Sequence, residues 1–345
     1  MLAFIVRRLV WAVLMVAVVS LITFVIFLGI PDRTINSRQG LVTPNLQAQW
    51  HLDGHSLPAK YGLFLEHIFV HGDFGQSMRQ PLSVREILKS ALPVTASLVI
   101  GGTVLFLVLA FPIGLLSALR PRSLLDKGLM VVLLIGVSAH PVFLGLTLSY
   151  FLGFKWHVTP IAGYCNLHYH PNDLCGGPRY WAYHMILPWI TFAFLFAALY
   201  ARMIRASVVE ALEEDYVRTA VAKGASTARI LRGHVARNAM LPVVSMLGMD
   251  VGIAFGGAIF IETVFNLPGM GQQLYRALGS ADEPVILGVA MVVSVAVVLT
   301  NLVADLLYCV IDPRIGLRSG RRGSESVPVR RRRRASTREL TEPVS

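Results

Sequence analysis

The stretch EDYVRTAVAKGASTARILRGHVARNAMLP, from Glu214 to Pro242, is polar and basic, yet long apolar runs flank it on both sides. Met185–Met203 precedes it and Leu241–Ile261 follows it. Further out lie Leu9–Ile30, Thr95–Leu119, Leu129–Leu152 and Val285–Ile311. Each run approaches or exceeds the roughly 20 residues that an α-helix needs to cross a bilayer. None carries more than two formal charges. A basic insert tethered at both ends by such runs is a loop of an integral membrane protein. The fold expected is therefore all-α, with six transmembrane helices.

Composition agrees. Of 345 residues, 54% are hydrophobic and only 15% charged, with a mean hydropathy of +0.61. A soluble domain would normally carry about 25% charge. The net charge is +11, and its placement carries the information. With the N-terminus inside, segments 1–8, 120–127, 202–238 and 312–345 hold 22 Lys and Arg, against 9 in the longer outer segments 31–92, 153–184 and 262–284. The positive-inside rule then puts both termini in the cytoplasm. Topology accounts for the charge without nucleic acid. A helix–turn–helix DNA reader shares the outline of 214–242 but would not be tethered to a membrane at both ends. Arg7 and Arg8 before the first run resemble the start of a signal peptide. That run is too long for one, and "GIPDR" follows it in place of a small-residue cleavage site, so a retained anchor is expected.

The chain divides into three regions: residues 1–92 with the first span and an outer segment, 93–315 with the remaining spans and the cytoplasmic loop 205–240, and a basic tail, 316–345. In the outer segment, Leu63, His67, Ile68 and His71 follow helical spacing. Leu82, Ile87 and Leu88 mark another short helix, expected to end at Pro93. The segment reads as a small helical cap. The tail has almost no apolar content and is expected to be disordered. Its run Arg330–Arg334 either holds anionic membrane lipid or is a solvated enforcer of topology.

Cys165 and Cys175 share an outer loop, where an oxidising exterior favours a disulfide over two free thiols. Cys309 falls in the last span and reads as packing. The chain has no Gly-Lys dipeptide, so no Walker A loop, and no H-E-x-x-H. "GQSMR" lacks the second glycine of a nucleophile elbow. Of the ten histidines, His67 and His71 are one helical turn apart, and His157, His168 and His170 share a loop. No third and fourth ligand stand at metal-site spacing, so no metal site is expected. A catalytic constellation is likewise missing from the sequence, and a scaffold role would leave 214–242 idle.

Within 214–242, Tyr216, Val217, Ala220 and Val221 make one apolar face, and Gly224 breaks the helix. Ile230, Leu231, His234 and Val235 make a second face, ending at Asn238 before Pro242. A short helix of this kind suits docking on a cytoplasmic partner, with Arg218 and Lys223 supplying charge for orientation.

"RTAVAKG" followed by "HVARNAMLP" resembles the coupling loop of ABC-importer permeases, in the dipeptide, oligopeptide and nickel branch. The general loop opens Glu-Ala-Ala. Here Arg218-Thr219-Ala220 precedes Gly224 at that spacing. "RRLVWAVLMVAVVSLITFVIF", "HGDFGQSMRQPLSV", "GGAIFIETVFNLPGMGQQLYRAL" and "NLVADLLYCVIDPRI" resemble the first span, an outer loop, the fifth span with its outer re-entry, and the end of the last span. The resemblance runs from residue 7 to about 315, with "IPDR" in place of the usual Pro-Gly-Asp-Pro. The pattern is that of the B-type subunit of a type I importer. It implies a similar second permease subunit, two ATP-binding subunits that carry ATP and Mg, an extracytoplasmic solute-binding protein, and residence in a bacterial cytoplasmic membrane. The cargo it implies is peptide, with nickel or glutathione as alternatives. This chain would bind no cofactor and be no enzyme. Asp215, Tyr216, Arg218, Thr219, Ala220, Lys223 and Gly224 would form the lever through which ATP closure rocks the spans.

In the fifth span, Gly248, Gly252 and Gly256 recur every four residues, a stripe that permits close helix packing. Asp250 lies about 160° around the helix from that stripe. It either lines the translocation path, where it would attract a cationic group such as a peptide's α-amine, or hydrogen-bonds to another helix. Asp305 and Asn301 share a face and are expected to form a structural cluster with Tyr308 or Arg314. After the span, Glu262 leads into a turn forced by Pro268, Gly269 and Gly271, and Leu274, Tyr275 and Leu278 give a short amphipathic piece. This segment reads as a seal over the outer mouth.

Overall fold

Two helices of 36 residues each form the spine of the molecule, and their glycines explain how they meet. A Cβ added at Gly102 would lie 2.4 Å from the ring of Phe192, and one at Gly114 would lie 2.7 Å from the carbonyl oxygen of Ala201. Only glycine lets the backbones approach so closely. The computed structural model describes residues 2–29, 46–52, 54–119, 123–167 and 175–311. The basic tail, His168 and His170 lie outside them. The side chains of His234, Asn238, Tyr308 and Cys309 are also outside the description.

In chain order the helices are α1 (Leu2–Phe24), α2 (Leu46–Gln49), α3 (Leu57–Leu65), α4 (Val84–Leu119), α5 (Leu124–Ser138), α6 (Pro141–Leu148), α7 (Pro178–Glu213), α8 (Asp215–Ala222), α9 (Thr227–Ile230), α10 (Ala236–Val264), α11 (Met270–Ser280) and α12 (Glu283–Ile311). Wider π turns extend α1, α3 and α6 and join α9 to α10. Among the described residues there is no strand, only isolated bridges such as Gln76 with Ser83. Segments within α1, α4, α7 and α12 are long and apolar enough to cross a membrane, and the bent pair α5–α6 makes up to a fifth span. The 29-residue α10 covers the sixth expected run, with Ala254–Val264 as its described apolar part.

Three local expectations need correction. The run Leu129–Leu152 is not one straight helix but two, meeting at 105°. Pro141 drives its predecessor out of helical geometry: His140 is extended, with ψ 140°, and its Nδ1 accepts from the Val142 amide at 3.3 Å. Pro93, by contrast, ends nothing. It lies inside α4, which starts at Val84 and also contains Pro112. Proline removes one helical hydrogen bond and is tolerated in membrane helices that neighbours support. Here Ala91 and Val94 on either side of it are buried. Nor does the second cytoplasmic face end at Asn238, because α10 runs continuously through it and Pro242.

The central core unites α4, α7 and α10 around Leu98, Phe106, Phe192, Phe196 and Tyr200. α12 packs on α10, and α1 packs on α12. A second cluster ties the end of α1, the cap and α12 through Phe24, Trp50, Phe64, Leu287 and Met291. A third joins the starts of α4 and α12 with α11.

Candidate functional site

The short helix α8 begins at Asp215 directly after α7, with Glu214 extended between them (φ −67°, ψ 146°). Val217 is buried and joins the central core, with Ala220 partly buried beside it. Tyr216 and Val221, read as part of the same apolar face, are exposed at 37% and 60%. An eight-residue helix resting on a wider base covers one narrow stripe, so its flanks remain open. Lys223 and Arg218 are also exposed. Arg218 lies 3.7 Å from Asp215, a pair so exposed that it contributes little. The Thr219 hydroxyl donates to the Asp215 carbonyl at 2.9 Å. Gly224 ends the helix in the left-handed region, φ +77°, with no atom within 4 Å of an added Cβ. The chain then returns through Ile230 and Val235, both buried, into α10.

Behind this element lies a feature that the sequence did not announce. Asp126, buried near the start of α5, receives an Arg205 Nη2 hydrogen bond at 3.2 Å from α7 and a second bond from the Ser117 hydroxyl of α4. The Asp126 amide donates to Ser123, the N-cap of α5, at 3.1 Å. The S-x-x-D spacing was the available signal. Three helices are thus tied by one carboxylate about three turns before α8 begins.

At the other end of α10, Glu262 is fully buried. Its carboxylate accepts from the Thr95 hydroxyl of α4 at 2.6 Å and from the Gln272 amide at 2.9 Å. Thr95 in turn accepts from the Met270 amide at 2.8 Å. The amide N–H groups at the start of α11 therefore converge on Glu262 and Thr95, where an anion is favoured. A Cβ at Gly269 would lie 2.4 Å from the Glu262 carboxyl, and one at Gly271 2.6 Å from Ile259 Cα. The glycines after Pro268 let the turn fold down onto α10. Beneath it, a cavity of about 290 Å³ lies between α10, α11 and α12, bordered by Thr95, Gly252, Gly256 and Gly271. A further buried carboxylate, Asp282, accepts from the Ser77 hydroxyl and, at 3.1 Å, from the Met78 amide, so the loop before α4 clamps the α11–α12 corner. Sequence alone gave no sign of that pairing.

The glycine stripe is graded. Gly248 meets α12 closely, 2.9 Å from an added Cβ to the Ala304 methyl carbon, Gly252 stands 3.5 Å from Val297, and Gly256 has nothing within 4 Å. Asp250 faces the opposite side, where the buried Tyr200 of α7 donates to it at 2.7 Å. Asp305 is held by Arg8 of α1 at 2.9 Å. In the loop between α6 and α7 a disulfide joins Cys165 and Cys175, with Cα atoms 5.3 Å apart. No group of three metal-ligating side chains occurs among the described residues.

A multi-pass helical membrane protein, with the short half-covered helix α8 after α7 and a folded-down turn after α10, has the form of a transport subunit. The comparisons agree with that class. The family model described as the inner membrane component of binding-protein-dependent transport systems matches residues 110–317, and the model of its N-terminal region matches residues 1–99. The chain belongs to this family of type I importer permeases. It is 33% identical to the dipeptide transport system permease protein DppB of Escherichia coli K12, over 91% of this chain and 99% of that one. To the protein of the same name from Bacillus subtilis 168 it is 34% identical, over 88% and 94%. A Brucella suis protein provisionally named as a peptide permease is 35% identical, over 91% and 99%.

Proposed function

We propose that this chain is the permease subunit of an ATP-driven importer that moves dipeptides or short peptides inward by alternating access. The peptide cargo comes from the names of the relatives. The mechanism comes from the residues. Asp215–Gly224 is the lever: a partner ATPase grips the exposed Tyr216, Arg218, Val221 and Lys223, while Val217 and Ala220 fasten the helix to α7. ATP and Mg reside on two such partners, and a second permease subunit completes the path. Differential grip on two states shifts the conformational balance, because a partner that binds both equally shifts nothing. The turn at Pro268, Gly269 and Gly271, latched by Glu262, is the outer gate on which the solute-binding protein acts. Asp250 lines the path and receives the peptide α-amine, with Tyr200 fixing its orientation. Both termini are cytoplasmic.

The observation that carries this reading is the half-covered α8: one residue locked in the core and an exposed apolar and basic flank. The test is uptake of labelled dipeptide in cells lacking the native chain, together with co-purification of ATPase subunits. Wild type restores both. Tyr216→Ala combined with Val221→Glu abolishes both without lowering membrane levels of the chain. Uptake and ATPase capture that persist in this variant overturn the lever.

A further inference from the structure

Arg8 and Asp305 are not merely a helix tie, because they border a cavity of about 300 Å³ between α1, α10 and α12, with Trp11, Ser245 and Asn301 beside them. We propose that this cavity is a binding site for the headgroup of an aminophospholipid, with ethanolamine favoured over choline or glycerol.

The argument starts from what surrounds α1. Leu9, Val10, Val13 and Leu14 are about half exposed or more, an apolar surface that lipid would cover. Arg8 and Trp11 lie within its first three turns, the residue types that anchor at a membrane interface. α10 and α12 close on each other at Gly248, one floor of the cavity, while the ion pair stands at its rim with side chains 44% and 30% exposed. The volume is at the small end of those that hold ligands.

The chemistry of the lining selects the occupant. A lone anion drawn to Arg8 is repelled by Asp305 at 2.9 Å from it, and a lone cation is repelled by Arg8. A zwitterion satisfies both, its phosphate on the guanidinium and its ammonium on the carboxylate. Ser245 and Asn301 offer neutral hydrogen bonds to the remaining phosphate oxygens. Ethanolamine's ammonium has N–H donors for Asp305. Choline has none, and a glycerol headgroup has no cation. The cavity shares Ala12, Val298 and Leu302 with an apolar groove of about 450 Å³ that reaches Leu65 and Phe69, so an acyl chain leaving the headgroup meets continuous hydrocarbon surface. The cytoplasmic N-terminus proposed above would make this an inner-leaflet lipid. The binding measurement depends neither on the leaflet nor on the identity of the cargo.

The experiment takes the full chain, purified with its partner subunits in detergent and stripped of lipid. Phosphatidylethanolamine, phosphatidylcholine and phosphatidylglycerol of identical acyl chains are added, and bound lipid per chain is read by native mass spectrometry. The expected result is about three- to fivefold higher retention of the ethanolamine lipid. Asp305→Asn erases its preference over phosphatidylglycerol. Ser245→Trp fills the cavity without touching the ion pair and lowers ethanolamine-lipid retention by a similar factor, which keeps the test intact where Asp305→Asn fails to fold. Equal retention of the three lipids, or full retention in Ser245→Trp, overturns the site. A photo-cross-linker at position 11 that captures a partner subunit in place of lipid also overturns it.

Discussion

At the scale of single residues, buried polar groups decide most. Glu262 is surrounded by donors from two helices, and removing one side of such an arrangement leaves the other unsatisfied at about 1–3 kcal/mol per group. Thr95→Val orphans both a carboxylate oxygen of Glu262 and the Met270 amide. It is expected to lower the thermal midpoint of the purified chain, and to do so less than additively with Glu262→Ala, because each variant removes the same bond. Fully additive shifts would mean that the two residues act independently. Asp250 permits a sharper division. Tyr200→Phe removes the hydrogen bond and leaves the carboxylate, whereas Asp250→Asn removes the charge and keeps an acceptor. If Asp250 meets the cargo's amine, Asp250→Asn raises the half-saturating dipeptide concentration of uptake and Tyr200→Phe changes it little. Equal effects would make the residue a structural partner of Tyr200 only. The sequence exposed these carboxylates because a charge in or beside an apolar run is conspicuous. It hid their partners, since Thr95 lies 167 residues from Glu262 and Arg8 nearly the whole chain from Asp305.

At the scale of elements, hydrophobic length made the spans legible, and local proline chemistry did not. Pro93 and Pro141 look alike in sequence, yet the first is absorbed into α4 and the second bends the chain by 105°. Their neighbours make the difference: Val94 continues into the core at full burial, while His140 finds an alternative by capping Val142. The helix α8 was legible in its boundaries, because Gly224 is where the chain needs φ +77°, but which of its residues are covered was not, since that depends on the base beneath it. Open space around Gly224 isolates the backbone term. Gly224→Ala meets no clash and incurs only the left-handed penalty, about 1–2 kcal/mol. It is expected to reduce dipeptide-stimulated ATP hydrolysis of the assembled transporter, and Gly224→Asn, which tolerates that region, is expected to restore most of it. If the two variants are equally impaired, the turn's conformation is not what matters.

For the whole molecule, the arrangement of charge and the Cys165–Cys175 bond make one joint statement about sidedness. The proposed topology, with 22 of the Lys and Arg on one side and 9 on the other, would put α8 in the cytoplasm and the Cys165 loop outside. The same topology requires the Cys165–Cys175 disulfide to lie outside, since thiols persist in a reducing cytoplasm. Two independent physical causes, lipid insertion and redox environment, therefore have to agree. Cells carrying Cys309→Ser and Lys223→Cys provide the check, with a membrane-impermeant maleimide as probe. Intact cells should show no labelling before reduction. A membrane-impermeant reductant should then expose Cys165 and Cys175 to the reagent, and position 223 should react only after the cells are opened. Labelling of position 223 in intact cells would invert the topology and remove α8 from any cytoplasmic ATPase. An outer loop that labels fully without reduction would instead show that its thiols are free, leaving the direction of the spans untouched.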